Sequence, residues 1–252
     1  MTATVLPLAM GGGLGLIFGS FLAALAMRWP EGRSVLSGRS HCDGCERPLR
    51  ASELVPVVSA LASRGRCRRC GVAIDPLHMG MELGCAAIGM AAVLAAGPSL
   101  AALGWMALGW TLLTLAVLDA RHYWLPDALT LPLLALGLIV APAVTGVTVR
   151  DAVIGAGVGY GTLYLLALSY RALRGRDGLG LGDTKLLAAL GGWFGWQALP
   201  CLLLMASMLA LIWVAARAMT GAAVDRTTRI AFGLFLCVAA VPAAIFAQEY
   251  ML

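Results

Sequence analysis

The chain has one lysine, Lys185, three histidines, and no basic residue ahead of Arg28. Charged residues make up only 12% of its 252 residues. Soluble domains carry roughly 25% charge, so an ordinary water-facing shell is excluded. The missing basic segment at the start argues against a cleaved secretory signal, whose apolar core runs only about 7–15 residues. Residues 6–27 form a longer apolar stretch and read as a first transmembrane helix. The net charge is +5, yet no basic stripe with interleaved aromatics occurs. A nucleic-acid partner is therefore not expected.

What the chain has in abundance is apolar length. Hydrophobic residues make up 60% of it, and the mean hydropathy is +0.87. Apolar stretches of about 20 residues, candidates to cross a bilayer, cover residues 6–27, 78–96, 100–118, 128–145, 152–170, 184–199, 201–219 and 230–250, the sixth of them short and glycine-rich. The expected fold is an all-α polytopic membrane protein with about eight transmembrane helices. Merging the sixth and seventh stretches would give a span too long for a bilayer of about 30 Å, and Pro200 separates them. The arginines cluster in residues 28–76 and in the loops after the third, fifth and seventh stretches. Eight helices put all of these on one side, which the positive-inside rule assigns to the cytoplasm.

Two carboxylates stand at the edges of these stretches. Asp119 ends the third, in Leu118-Asp119-Ala120-Arg121, and Asp183 precedes the sixth, in Gly180-Leu181-Gly182-Asp183. An ionised carboxylate at membrane depth costs several kcal/mol, so such residues point to function. Two that share a proton can activate water, as in an acid protease. The alternative is a proton- or cation-coupled transporter, in which intramembrane acids relay ions. The eight-helix topology puts both aspartates at cytoplasmic helix ends. Gly178, Gly180 and Gly182 are expected to let the backbone approach a substrate strand. Asp127, after Pro126, is expected to cap the next helix, with a supporting role in the site as the alternative. Glu82 lies inside the second stretch and needs a partner or a function. Lys185 either pairs with a carboxylate or snorkels to the interface.

The polar segment carries Cys42-Asp43-Gly44-Cys45 and Cys67-Arg68-Arg69-Cys70. Two CxxC knuckles at this separation match a structural four-thiolate zinc site. Gly44 and Gly71 are expected to relieve strain in the knuckle turns. Disulfides do not suit a cytoplasmic loop, and a redox-active CxxC is the remaining alternative. Cys85, Cys201 and Cys237 read as packing residues inside helices. His41 and His78 flank the loop and are expected to pack there.

Taken together, these residues give the chain a resemblance to the type IV prepilin peptidases, or leader peptidases, of type II secretion and type IV pilus systems. It runs through Gly19-Ser20-Phe21-Leu22, Arg28 and Pro30, both knuckles, Arg64-Gly65-Arg66-Cys67-Arg68, the run from Asp119 to Pro126-Asp127, and the run from Gly180 to Lys185. The GxGD motif at Gly180–Asp183 is shared with presenilin-like proteases. The resemblance implies an aspartic protease of the bacterial inner membrane with its site facing the cytoplasm and membrane lipid around it. Its substrates would be prepilins or pseudopilins, cleaved after a glycine at the end of a basic leader. It implies Asp119 and Asp183 as the catalytic pair, and Cys42, Cys45, Cys67 and Cys70 as zinc ligands. It also implies methylation of the new N-terminus from S-adenosylmethionine. The corresponding division is a first helix (1–27), a cytoplasmic zinc-binding domain (28–77) and a seven-helix peptidase domain (78–252). Three departures stand out. Ala23 replaces a usual Asn, Asp43 replaces a usual Pro, and Ala231-Phe232-Gly233-Leu234 replaces Pro-Phe-Gly-Pro. None is expected to touch the aspartate pair or a metal ligand.

Overall fold

Each long apolar run becomes a helix, because a chain in lipid must satisfy its backbone hydrogen bonds internally. The computed structural model describes residues 2–35, 39–42, 44–175, 178, 180–220 and 229–250. Its α-helices are α1 (Thr2–Arg28), α2 (Val58–Ala62), α3 (Pro76–Ala96), α4 (Leu100–His122), α5 (Asp127–Val144), α6 (Val149–Arg174), α7 (Leu181–Phe194), α8 (Leu199–Met219) and α9 (Phe232–Tyr250). Among the described residues there is no strand, only the bridges His41–Pro48 and Arg66–Ala73. The fold is all-α, as expected. Six helices, α1, α3, α4, α5, α6 and α8, are long and apolar enough to cross a membrane. At 1.5 Å per residue, the 14 residues of α7 reach roughly 21 Å, short of the ~30 Å hydrocarbon core. The chain forms two compact units, Met1–Thr114 and Leu115–Leu252.

In the first unit, α1 lies directly on α3. Gly11, Gly15 and Gly19 recur every fourth residue and so share one face. A Cβ on Gly15 would stand 2.2 Å from the Cys85 carbonyl oxygen, and one on Gly89 would stand 2.2 Å from that of Gly11. The two backbones are in contact, the packing that small residues permit between membrane helices. Trp110 closes the seam from α4. Its Nε1–H donates to the Cys85 carbonyl at 2.9 Å, and its ring stacks on Phe18 with centroids 4.9 Å apart.

In the second unit, α7 is the core. Asp183, Thr184 and every residue from Leu186 to Phe194 are buried, and the helix packs against α5, α6 and α9. A helix apolar on all sides belongs inside a bundle. Enclosed by protein, it has no need to match the bilayer, which accounts for its length. It runs antiparallel to α6, with Gly191 against Gly155 and Leu187 against Gly159. Trp193 fixes its far end by donating Nε1–H to the Leu133 carbonyl at 2.9 Å. The Trp193 carbonyl accepts from Thr145 at 2.8 Å. Gly195, at φ +76°, breaks the chain before α8, which begins with Pro200 in its first turn.

Candidate active site

Three helix ends of the second unit converge. Asp119 lies one turn before the end of α4 and is 5% exposed, while Asp183 lies in the first turn of α7 and is 8% exposed. Between them comes the start of α9. A Cβ built on Gly233 would stand 3.0 Å from Asp119 Oδ2 and 3.1 Å from Asp183 Oδ1. Both carboxylates therefore face one small space across 63 residues of intervening sequence. The Leu234 N–H donates to Asp119 Oδ2 at 2.8 Å. The Gly233 backbone also hydrogen-bonds both aspartates, and that of Gly180 bonds Asp183. Two carboxylates in one enclosed space can hold a proton between them and orient a water.

The start of α9 is where the sequence reading needs correction. The Ala231–Leu234 segment was expected to stay clear of the aspartates, yet it supplies backbone donors to both. A proline at 234 would have no N–H to give, so this hydrogen bond to Asp119 depends on Leu234. Asp127 is a second correction. Pro126, not Asp127, is the N-cap of α5, and no side-chain cap bond forms there. Asp127 instead accepts Lys185 Nζ at 2.6 and 2.7 Å, tying the start of α5 to the first turns of α7. Charge at that position still suits the helix N-terminus. Gly182 of the GxGD motif and Gly178 just before it accommodate residues of this chain. A Cβ on Gly182 would meet Leu125 at 2.8 Å, and one on Gly178 would meet the Tyr170 ring at 2.5 Å.

The four knuckle cysteines come together in the first unit, their sulfurs all within 4.8 Å of one another. Cys42 and Cys70 Sγ are 3.7 Å apart. A tetrahedral zinc with Zn–S bonds of about 2.3 Å needs sulfurs ~3.8 Å apart, so the cluster fits the metal. The knuckles are two copies of one turn. Cys42 N–H donates to Arg47 O, and Cys67 N–H to Val72 O. The residue four places after each first cysteine is left-handed, Glu46 at φ 53° and Gly71 at φ 74°. Gly71 thus relieves strain as expected, but Gly44 does not. It makes room for Val72, whose side chain would lie 2.7 Å from a Cβ there. Backbone hydrogen bonds from Cys70 and Arg69 pull the Cys67 thiol down to about 6. Cys70 is pushed up to about 11 against a Val72 backbone bond, through desolvation and the adjoining sulfurs. A cation among the sulfurs removes that competition. Arg47 braces the site, bonding Glu53 at 2.9 and 2.5 Å and the Cys67 sulfur at 3.7 Å. The Arg47 guanidinium, then the Arg50 backbone N–H, hold Glu53 down at about 2.

Glu82 finds its partner in the backbone. Its Oε2 accepts the Val57 N–H at 2.7 Å, fastening the loop to α3. Cys85 and Cys237 are buried packing residues as expected, whereas Cys201 is exposed.

Residues 106–215 match the type IV leader peptidase family, and residues 14–96 match the bacterial peptidase A24 N-terminal domain. Three similar relatives carry the name prepilin leader peptidase/N-methyltransferase. The one from Klebsiella pneumoniae is 41% identical over 199 residues, covering 77% of this chain and 87% of that protein. The one from Pseudomonas putida is 38% identical over 259 residues, covering 94% of this chain and 89% of that protein. The one from Burkholderia pseudomallei is 45% identical over 170 residues, covering 68% of this chain and 55% of that protein. No solved structure matches the chain.

Proposed function

This chain belongs to the type IV leader peptidase family, and on that premise we propose that it removes the leader from prepilins or pseudopilins and methylates the exposed amine. It is a multi-pass protein of the bacterial inner membrane. Asp119 and Asp183 are the catalytic pair. The observation that carries this is the single small space at Gly233 onto which both carboxylates open.

One carboxylate accepts a proton from water as the water oxygen attacks the scissile carbonyl carbon. The other, protonated, donates to the carbonyl oxygen. On collapse, the C–N bond breaks and the proton taken from water passes to the leaving amine. The pair titrates jointly, so the two roles belong to the dyad. Burial in the second unit keeps bulk water from the reacting groups. Arg121, Arg171 and Arg217 stand in the last turns of α4, α6 and α8. By the positive-inside rule they support a cytoplasmic setting for this end of the unit, where a membrane-anchored substrate presents a basic leader. Zinc on Cys42, Cys45, Cys67 and Cys70 orders the cytoplasmic segment, residues 28–77. S-adenosylmethionine supplies the methyl group. The transporter reading gains no support from these relatives.

The test is incubation of purified protein with a prepilin. The parent should shorten it. Asp119→Asn and Asp183→Asn should abolish cleavage while accumulating normally in the membrane, because an amide neither shares the proton nor activates water. Full cleavage by either variant overturns the assignment.

A further inference from the structure

A cavity of about 320 Å³ opens between α1, α3 and the zinc loop of the first unit, its wall including Arg28, Arg66, Arg68, Met79 and Glu82. The volume falls in the range of small-molecule sites. Glu82 is its most unusual wall residue. It is 6% exposed, and the Val57 N–H is its one hydrogen-bond partner among the described residues. No lysine, arginine or histidine pairs with it there. Val57, a β-branched residue, is held at φ 60° to make that bond, a conformation such residues avoid. One carboxylate oxygen is thus tethered, and the other is left to the cavity. A buried carboxylate so poorly compensated calls for a cation. The cation must be weakly hydrated to leave water for a mainly apolar wall. The arginines of the same wall suit a carboxylate at the other end of the same ligand.

We infer that this cavity seats S-adenosylmethionine, with its sulfonium facing Glu82 and its carboxylate toward the arginines. This rests on the methyltransferase reading above and assigns that activity a place. S-adenosylhomocysteine differs only in lacking the transferred methyl and with it the sulfonium charge, so Glu82 tells donor from spent product, and release after transfer follows from the lost charge.

The test is equilibrium dialysis of each labelled ligand with the zinc-loaded, full-length protein in detergent. The parent should bind the methionine form more tightly than the homocysteine form. In Glu82→Gln the amide oxygen still accepts from Val57, so the loop stays fastened. Its affinity for S-adenosylmethionine should fall about 10- to 100-fold, while that for S-adenosylhomocysteine changes less than about threefold. Retained homocysteine binding and zinc content show the cavity to be folded. Equal losses for both ligands, or no loss, overturn the placement. A parent that cleaves leaders but neither binds the donor nor methylates overturns the methyltransferase reading itself.

Discussion

Replacing Gly233 by Ala places one methyl group in the space between the carboxylates. The new Cβ would stand 2.6 Å from Leu125 Cδ1, 3.0 Å from Asp119 Oδ2 and 3.1 Å from Asp183 Oδ1. Leu125 Cδ1 is the free end of a flexible side chain and can yield by a few tenths of an ångström. Overpacking of this kind costs about 1–3 kcal/mol. Alanine in place of glycine in a helix returns about 1 kcal/mol, and Gly233 is not in the left-handed region. The fold should therefore survive. The chemistry should not, because the methyl occupies the place of a water held by both aspartates and pushes the carboxylates apart. A misplacement approaching 1 Å costs about 100-fold in turnover, or roughly 2.7 kcal/mol of barrier. The assay is time-resolved cleavage of a prepilin by purified protein in detergent, read by gel mobility, alongside thermal unfolding. We expect turnover to drop about 100-fold with KM nearly unchanged. Gly161→Ala is the control, since a Cβ there meets nothing within 4 Å. If Gly233→Ala cleaves within threefold of the parent, the space between the aspartates is not where the water sits.

The cysteine cluster should carry about one zinc per chain, measured by elemental analysis. Cys42→Ser and Cys70→Ser should lower metal content and open the loop to limited proteolysis, and metal-free parent protein purified under reduction would refute the site. The Asp127–Lys185 pair is partly exposed, and such pairs contribute only about 0–1 kcal/mol. Asp127→Asn should therefore leave cleavage within about threefold of the parent, and a loss beyond tenfold would give Asp127 a role in the reaction.

Helices and knuckles were legible because their signals are local. An apolar run must become a helix in lipid, and a CxxC pair announces its ligands by spacing. Asp119 and Asp183 were legible because a carboxylate among apolar residues needs a reason. What stayed hidden was set by contacts across long separations. Leu234 reaches Asp119 over 115 residues through a backbone N–H, which no side-chain pattern reveals. Asp127 followed a proline, as a helix cap does, but Lys185, 58 residues on, claimed its carboxylate. The shortness of α7 was visible in the sequence, whereas its enclosure by α5, α6 and α9 depends on glycines whose partners only the fold identifies.

The glycine contact between α1 and α3 has a consequence for the metal. The cysteine-bearing loop leaves the end of α1 and returns at the start of α3, and backbone contact already holds those helices together. The entropy of joining the loop's two ends, which grows only as the logarithm of its length, is therefore met by the membrane helices. A zinc ion on the four cysteines would then have only to order the interior. Chelation should then leave a tethered, fluctuating segment between two helices that remain docked, so that losing the metal is a local event the rest of the bundle does not register.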